Sequence, residues 1–394
     1  MNDSLLILGR QPALGLAELE SLYGADAVRL ASKEAALLSV EPSVVAFARL
    51  GGSVKLCKVL DVFDTVKWPD LQKSLERLAP RVAANMPEGK LLVGISAYGL
   101  SIRPQQLIAA GLTIKKTLRI SGRSVRLVPN QEPALNSAQV LHNKLTGDNG
   151  CELVIVRNGT QTICAQTVAE QDIESYTLRD RSRPKRDARV GMLPPKLAQI
   201  IINLAVGSDR PDGQIVLDPF CGTGVVLLEA MLMGYTPYGT DLESRMIEYS
   251  HTNLKWLREQ FHLGLPPGRL EQGDATTHKW DNVVRFVAGE AYLGRPFTSQ
   301  PNPEVLSQTI SDVNLILMKF LHNIQEQLPE SARLCLAVPA WQIGTDKFKH
   351  LPLIDRLSDL GYNRVRFEHV RDEQLLYYRE DQIVARELLV LTRK

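Results

Sequence analysis

The sequence predicts an α/β fold in which a doubly wound, mostly parallel sheet follows two smaller α+β portions. From residue 193 onward, short apolar strands alternate with helices, a pattern typical of a parallel sheet covered by helices on both faces. Residues 1–60 instead follow the ferredoxin-like order of strand, helix, two strands, helix and strand. Residues 180–189, rich in arginine and without large apolar side chains, are predicted to link the two patterns.

Hydrophobic periodicity places the elements of the first portion, residues 1–65. Leu16 and Leu19 fall on one face of a helix that Gly24 ends, because glycine readily adopts the backbone conformation that terminates helices. The predicted elements, in order, are a strand at 5–9, this helix, a hairpin at 27–40, a helix at 44–50 and a strand at 54–60.

The second portion, residues 66–175, is predicted as another α+β unit with a basic segment. Its predicted elements are helices at 69–84, 103–119 and 136–145 and strands at 91–96, 125–128, 152–156 and 162–167. Residues 91–131 carry six basic residues and no acidic one. In a chain with a formal net charge of +2, such a segment suggests a polyanionic partner, while a solvated helix face explains the charge alone equally well.

The third portion, residues 191–394, carries the alternating pattern. Its predicted elements are strands at 215–217, 237–239, 286–287 and 334–338, helices at 225–233 and 304–328, and a final antiparallel hairpin at 374–392. Together with the two portions before it, this gives a chain of 394 residues, a length that fits two or three domains.

Composition excludes several classes of protein. With 44% hydrophobic and 23% charged residues, the chain is not intrinsically disordered, and it contains no apolar run long enough to cross a bilayer. We expect no signal peptide at the N terminus. The five cysteines form no CxxC pair and the seven histidines show no ligand spacing, so we expect a cytoplasmic chain without a metal site or disulfides.

The motif most informative about chemistry is the turn DPFCGTG at 218–224, between an apolar strand and a helix. Gly222 and Gly224 are expected to let the backbone approach a ligand closely. Asp241 ends the next strand, where a carboxylate can accept hydrogen bonds from ribose, and Asp274 follows a further strand. The turn lacks both GxGxxG and GK[ST], which argues against dinucleotides and nucleoside triphosphates.

This arrangement of a glycine turn and three acids resembles the class I S-adenosylmethionine-dependent methyltransferases, which have a Rossmann-like fold. More narrowly, the chain resembles the THUMP-containing tRNA guanosine-N2 methyltransferases, in particular those that modify guanosine 10. The stretches that carry this resemblance are LLILGRQPALGLAELESLYG at 5–24, LGGSVKLCKVL at 50–60, LNSAQVLHNKL at 135–145, DRSRP at 180–184, GMLPPKLA at 191–198 and LLYYREDQIVARELLVL at 375–391.

The resemblance implies a ferredoxin-like domain at 1–65, an RNA-binding THUMP domain at 66–175, a basic linker at 176–190 and a catalytic domain at 191–394. It implies S-adenosylmethionine as cofactor and tRNA as partner; whether a small activator subunit is needed stays open. The expected cofactor-binding residues are Asp218, Pro219, Phe220, Gly222, Thr223, Gly224, Asp241, Leu242, Asp274 and Ala275. The expected RNA-binding residues are Arg103, Lys115, Lys116, Arg119, Arg181, Arg183, Lys185 and Arg186.

One motif departs from the family pattern. Amino-methylating members usually carry Asp/Asn-Pro-Pro-Tyr/Phe after the fourth strand, whereas this chain has GEAYLG at 289–294. We expect Glu290 to accept a hydrogen bond from the guanine N2 amine and Tyr292 to stack on the base, both as catalytic residues. An unrelated turn or an inactive site is the alternative interpretation of this motif.

The expected activity is therefore methyl transfer to the N2 atom of a guanosine in tRNA. Two alternatives stay open at this point: a methyltransferase acting on an amine of ribosomal RNA or DNA, and a catalytically inactive tRNA-binding protein. The sequence identifies neither the tRNA position nor the number of methyl groups added.

Overall fold

The computed structural model describes residues 3–187, 192–280, 284–297, 299–379 and 382–394. These residues form two compact units. The first contains Met1–Leu16, Gly24–Ala48 and Gly52–Ile173, and the second contains Ala17–Tyr23, Arg49–Gly51 and Glu174–Lys394.

The first unit is built on one eight-stranded sheet in the order β2-β3-β1-β4-β8-β7-β5-β6. From the N terminus to the last strand of this sheet, the elements are β1 Ser4–Leu8, α1 Pro12–Tyr23, β2 Val28–Ser32, β3 Ala35–Leu38, β4 Ser53–Phe63, α2 Trp68–Ala84, β5 Leu91–Tyr98, α3 Pro104–Ile120, β6 Val125–Leu127, α4 Ser137–His142, β7 Gly150–Asn158 and β8 Gln161–Glu170. Of helix α1, the stretch Ala17–Tyr23 belongs to the second unit. The predicted portions 1–65 and 66–175 both contribute strands to this sheet, and the boundary between them stays a prediction.

Helix α3 shows why its basic residues remain at the surface. Leu107, Ile114 and Leu118 are spaced along one face and are buried in the core of the first unit. Lys116 and Arg119 lie on the opposite, exposed face. The spacing of the apolar residues therefore determines which face of α3 is buried and leaves these two basic residues exposed on the other face.

One element predicted for the first 65 residues is wrong. Residues 44–50 do not form an α-helix but lie in two single 3₁₀ turns, Pro42–Val44 and Phe47–Arg49. The segment is short, and Gly51 and Gly52 follow it directly, so too few residues remain to complete a helical nucleus.

The second unit contains a nine-stranded sheet whose continuous order is β11-β10-β9-β12-β13-β17-β15. Its elements are α5 Ile173–Arg181, α6 Pro195–Val206, β9 Ile215–Asp218, α7 Val225–Leu232, β10 Thr236–Asp241, α8 Ser244–Gln260, β11 Arg269–Gln272, β12 Phe286–Glu290, α9 Pro303–Gln325, β13 Arg333–Gly344, β14 Lys347–Lys349, β15 Tyr362–Arg364, β16 Leu376–Tyr377 and β17 Val384–Arg393. Strands β9 to β13 are parallel to one another, which confirms the predicted α/β class with its mostly parallel sheet.

The antiparallel end of this sheet is more extensive than a hairpin. The predicted pair of strands at 374–392 is present as β16 and β17. The longer ladder, however, joins β17 to β13, from Arg333 opposite Thr392 to Trp341 opposite Val384. Strand β17 is therefore an interior strand of the sheet.

The beginning of the predicted linker, residues 176–190, is helical. Helix α5 ends at Arg181, and inside it Arg179 is buried with Nε donating to Oε1 of Glu229 at 2.7 Å. This buried pair holds the first part of the predicted basic linker in a helix. Residues 188–190 of the predicted linker lie outside the described residues.

Within the described ranges, no helix combines the length and apolarity needed to cross a membrane. The same ranges contain no group of three or more His, Cys, Asp or Glu residues placed to hold a metal ion.

Candidate functional site

The turn after β9 is held by the backbone of the neighbouring strand and by a carboxylate. The Cys221 N–H donates to the Thr240 carbonyl at 2.9 Å, which ties the turn to β10. Oδ2 of Asp241 accepts the Gly222 N–H at 2.9 Å, and Oδ1 of Asp241 accepts the Glu243 N–H at 2.9 Å. Asp241 thus fixes the loops that follow two adjacent parallel strands.

These loops border a cavity of about 810 Å³ at the carboxyl ends of the parallel strands. Ligands in open α/β sheets bind at this end of the strands. The predicted site residues that line the cavity are Asp218, Pro219, Phe220, Gly222, Thr223, Asp241, Leu242, Asp274, Ala275, Glu290 and Tyr292. The structure therefore brings together residues that are up to 74 positions apart in the sequence, from Asp218 to Tyr292.

The close approach of a ligand to Gly224 stays a prediction, and the structure gives this glycine a packing role. Gly224 does not line the cavity, and a Cβ added to it would lie 2.8 Å from Oγ of Ser250 on α8. Its φ of 83° also disfavours any side chain. Gly224 therefore lets the start of α7 pack against α8, whereas a Cβ on Gly222 would meet no protein atom within 4 Å.

Several residues that line the cavity were not among the predicted site residues. Lys319 comes from α9, and Met192 and Leu193 precede α6. Asp187 and Arg245 form an ion pair at 3.2 Å beside the cavity. None of these side chains follows a strand of the sheet, so the pattern of acids at strand ends could not identify them.

Among the carboxyl groups that line the cavity, those of Asp218, Asp241 and Glu290 have a raised pKa, because burial disfavours their charged form. The effect is strongest for Asp218, which is 2% exposed and whose pKa lies well above its usual range, although Phe220 N–H donates to its Oδ1. The charges of Asp241 and Glu290 raise the pKa of Asp218 further. A cation in the cavity would relieve this repulsion between carboxylates.

Gly289 explains how Asp218 fits beside β12. A Cβ at Gly289 would overlap Oδ1 of Asp218, so the residue before Glu290 has to be glycine for this packing. The glycine in GEAYLG is therefore a packing residue of the site.

Glu290 and Tyr292 differ in their surroundings. The Glu290 side chain is 18% exposed, and its Oε1 accepts a hydrogen bond from Nε of Arg386 on β17. Burial raises the pKa of Glu290, and Arg386 opposes that rise. Tyr292 is 44% exposed, so its ring is available to a ligand at the cavity. Arg386 could not be identified from the sequence, because it lies in an apolar strand far from the motif.

The predicted RNA-binding residues lie at the surface with one exception. The exposed members are Arg103, Lys116, Arg119, Arg181, Lys185 and Arg186, and Lys115 is half-buried. Arg183 is 2% exposed, with Nη2 at 3.2 Å from the Met192 sulfur, so the expectation that it contacts RNA is wrong for this structure.

We predict that Asp241→Ala weakens binding of a ribose-containing cofactor by about 1–3 kcal/mol, since it removes a charged acceptor and frees the Gly222 N–H. Titration calorimetry measures this loss. Glu248→Ala, which removes an exposed carboxylate of α8, is the matched control and should bind as the parent does. If Asp241→Ala binds the cofactor as tightly as the parent does, this carboxylate does not contribute to cofactor binding.

Comparisons with known proteins agree with this geometry. The UPF0020 family, described as "RMKL-like, methyltransferase domain", matches residues 183–264. The tRNA (guanine(10)-N2)-dimethyltransferase of Methanothermobacter thermautotrophicus is 31% identical over 149 residues, which are 38% of this chain and 39% of the relative. The probable tRNA (guanine(10)-N2)-dimethyltransferase of Methanothermococcus thermolithotrophicus is 42% identical over 121 residues, or 30% of this chain and 72% of the relative.

Among solved structures, TrmN from Thermus thermophilus has the same fold, with a TM-score of 0.53 and 18% identity over 100% of both chains. The second unit thus has the fold of class I methyltransferases. The alignment with the Methanothermobacter relative spans less than half of that protein's length.

Proposed function

The chain belongs to the tRNA (guanine(10)-N2)-dimethyltransferase family, and we propose that it transfers a methyl group from S-adenosylmethionine to N2 of a guanosine in tRNA. Guanosine 10, the position in the relatives' names, is the first to test. The observation that carries the proposal is the single cavity that collects the glycine turn, the acids at strand ends and the pair Glu290 and Tyr292.

The cavity fits S-adenosylmethionine. Gly222 leaves open space beside the turn, and Asp241 and Asp274 line the cavity. We expect these two carboxylates to accept hydrogen bonds from ribose and adenine. A ligand with a positive sulfonium also suits a cavity in which carboxylates repel one another. When bound, the cofactor supplies an electrophilic methyl group, and the electron pair of the broken carbon–sulfur bond remains on sulfur.

The side chains at the end of β12 are proposed to act on the guanine. Its exocyclic nitrogen is a poor nucleophile, because its lone pair is delocalised into the ring. Glu290 can accept a hydrogen bond from this amine and take the proton that nitrogen loses when it forms the new bond to carbon. Tyr292 offers an exposed aromatic face on which a flipped base can stack.

The first unit is proposed to bind tRNA through α3. No acidic side chain in the described part of the chain forms an ion pair with Lys115, Lys116 or Arg119. Free lysines and arginines on one helix face are the usual contacts to phosphates, which position a nucleic acid without reading its sequence.

We predict that replacing Lys115, Lys116 and Arg119 together by Gln weakens tRNA binding and flattens its salt dependence. Each lost phosphate contact should reduce the slope of log K against log salt concentration by about one. Fluorescence anisotropy at several salt concentrations measures both effects. The control replaces the exposed Lys73, Arg77 and Arg81 of α2 by Gln and loses the same charge. Equal slopes for the two triple variants would rule out α3 as the tRNA contact.

Methyl transfer itself is tested with radiolabelled S-adenosylmethionine and separate samples of tRNA, ribosomal RNA and DNA. The proposal predicts label in tRNA, and mass spectrometry of nucleosides should identify N2-methylated guanosine. Label confined to ribosomal RNA or DNA would favour the other amino-methyltransferases. Binding of tRNA and cofactor without any transfer would favour an inactive tRNA-binding protein.

A further inference from the structure

The ion pair between Glu290 and Arg386 joins two strands that are not neighbours in the sheet. Glu290 is the last residue of β12 and lies opposite Ala337 of β13. Ala337 in turn lies opposite Leu388 of β17, and Arg386 lies opposite Pro339 of β13. The guanidinium therefore has to reach across β13 to bind the carboxylate.

The residues of β13 allow this reach. Ala337 and Pro339 are two positions apart, so their side chains share the face of the sheet that carries Glu290 and Arg386. Both side chains are short, whereas Arg386 is long enough to extend over them. The Arg386 side chain is 6% exposed, so its charge lies within the protein beside the carboxylate rather than in solvent.

The pair leaves part of the carboxylate available. Nε of Arg386 donates to Oε1 of Glu290, while Oε2 accepts no hydrogen bond from any residue that the structure describes. Since Glu290 lines the cavity, Oε2 is the oxygen that can receive a donor from a ligand. A guanidinium has a rigid planar geometry, which restricts the orientation of the carboxylate it binds.

We propose that Arg386 is a positioning residue, which keeps Glu290 ionised and turned so that Oε2 accepts the amine of the methyl acceptor. This inference rests on the proposed function. It adds a residue from the antiparallel strand β17 to a site whose acids follow the parallel strands.

The ionisation of Glu290 depends on the groups that face it. Asp218 on β9 contributes a second carboxyl group, Lys319 on α9 lines the same cavity, and Arg386 is the cation in direct contact. The facing positions of β13 carry no titratable side chain. Removal of Arg386 would raise the pKa of Glu290 further, because burial would no longer be opposed by the adjacent cation.

The test measures single-turnover methyl transfer to tRNA from pH 5 to 9 in the full chain and in Arg386→Gln and Arg386→Lys. Activity that needs ionised Glu290 is lost as the pH falls through its pKa, so this loss should begin at a pH about one unit higher in Arg386→Gln. At neutral pH its rate should fall at least tenfold. Arg386→Lys keeps the charge and should restore the pH profile, with a lower rate because the planar fork is absent.

Arg364→Gln is the matched control, since Arg364 pairs with Glu387 in the same sheet and does not contact Glu290. It should lose stability without a change in the pH profile. If Arg386→Gln does not fold, Arg386→Lys provides the test. The proposal then requires that Arg386→Lys has a lower kcat with an unchanged KM for tRNA. An unchanged kcat in Arg386→Lys contradicts the proposal.

A second measurement separates this inference from the proposed function. Carbon-13 NMR of chains labelled at glutamate carboxyls follows the titration of Glu290, which is assigned by comparison with Glu290→Gln. A higher midpoint in Arg386→Gln supports the inference even if the parent methylates no RNA, an outcome that would overturn only the proposed function. An unmoved midpoint, with equal loss of rate at every pH, would show that Arg386 has a structural role alone.

Discussion

Glu290→Gln is expected to slow single-turnover methyl transfer by about 10²–10⁴-fold while cofactor and tRNA affinities stay close to those of the parent. The amide is uncharged and cannot take up the proton that the amine loses. Because the lost interaction is made mainly in the transition state, the effect should appear in the rate of the chemical step and not in KM.

The glutamine also leaves Arg386 without its carboxylate, so loss of stability has to be separated from loss of chemistry. Glu387→Gln provides the comparison, because Glu387 is 4% exposed, lies on β17 and accepts a hydrogen bond from Arg364 at 3.3 Å. Both variants should unfold at a lower temperature, but only Glu290→Gln should lose the chemical step. If Glu290→Gln transfers the methyl group at the parental rate, the Glu290 carboxylate has no role in catalysis.

The two glycines of the turn are expected to respond in opposite ways. Asn tolerates the left-handed backbone at Gly222, where φ is 52°, and its side chain would enter open space beside the cavity. Gly222→Asn should therefore weaken S-adenosylmethionine binding at least tenfold, or about 1.4 kcal/mol. Its unfolding temperature should stay within about 4 °C of the parent, which corresponds to roughly 1 kcal/mol.

Gly224→Ala is expected to destabilise the second unit by about 2–4 kcal/mol, because the new Cβ collides with Ser250 and the φ of 83° is unfavourable. Molecules that remain folded should still bind the cofactor. Gly213→Asn, at a φ of 76° with no atom near the added Cβ, is the control and should change neither property. Calorimetry measures the cofactor affinity of the three variants, and thermal unfolding measures their stability. If only Gly224→Ala loses cofactor binding, Gly224 and not Gly222 is the glycine that the cofactor approaches.

The local sequence pattern is sufficient to predict the elements that form the cavity. Strand β9, the turn after it and helix α7 were predicted within a few residues, because each has a strong periodicity or glycine marker in its own sequence. The acids Asp218 and Asp241 were placed at strand ends for the same reason. These features depend on neighbours in the chain, which the sequence displays directly.

The features that were missed depend on distant partners. Arg179 falls within the predicted basic linker at 176–190, but its side chain is buried and pairs with Glu229, 50 positions later. Arg386 is separated from Glu290 by 96 positions, and only the insertion of β17 beside β13 brings them together. The role of Gly224 likewise depends on Ser250 of another helix. Local periodicity contains no information about such contacts.

The outer strands of the two sheets bear on how this protein resists aggregation. An exposed strand edge offers unpaired backbone groups to another chain, and charged side chains on short strands reduce that hazard. Strands β2 and β6 border the first sheet, and β11 and β15 border the second. Each of the four is three to five residues long and contains an arginine. Two copies of the chain would therefore have only short edge strands that carry charged side chains through which their sheets could pair.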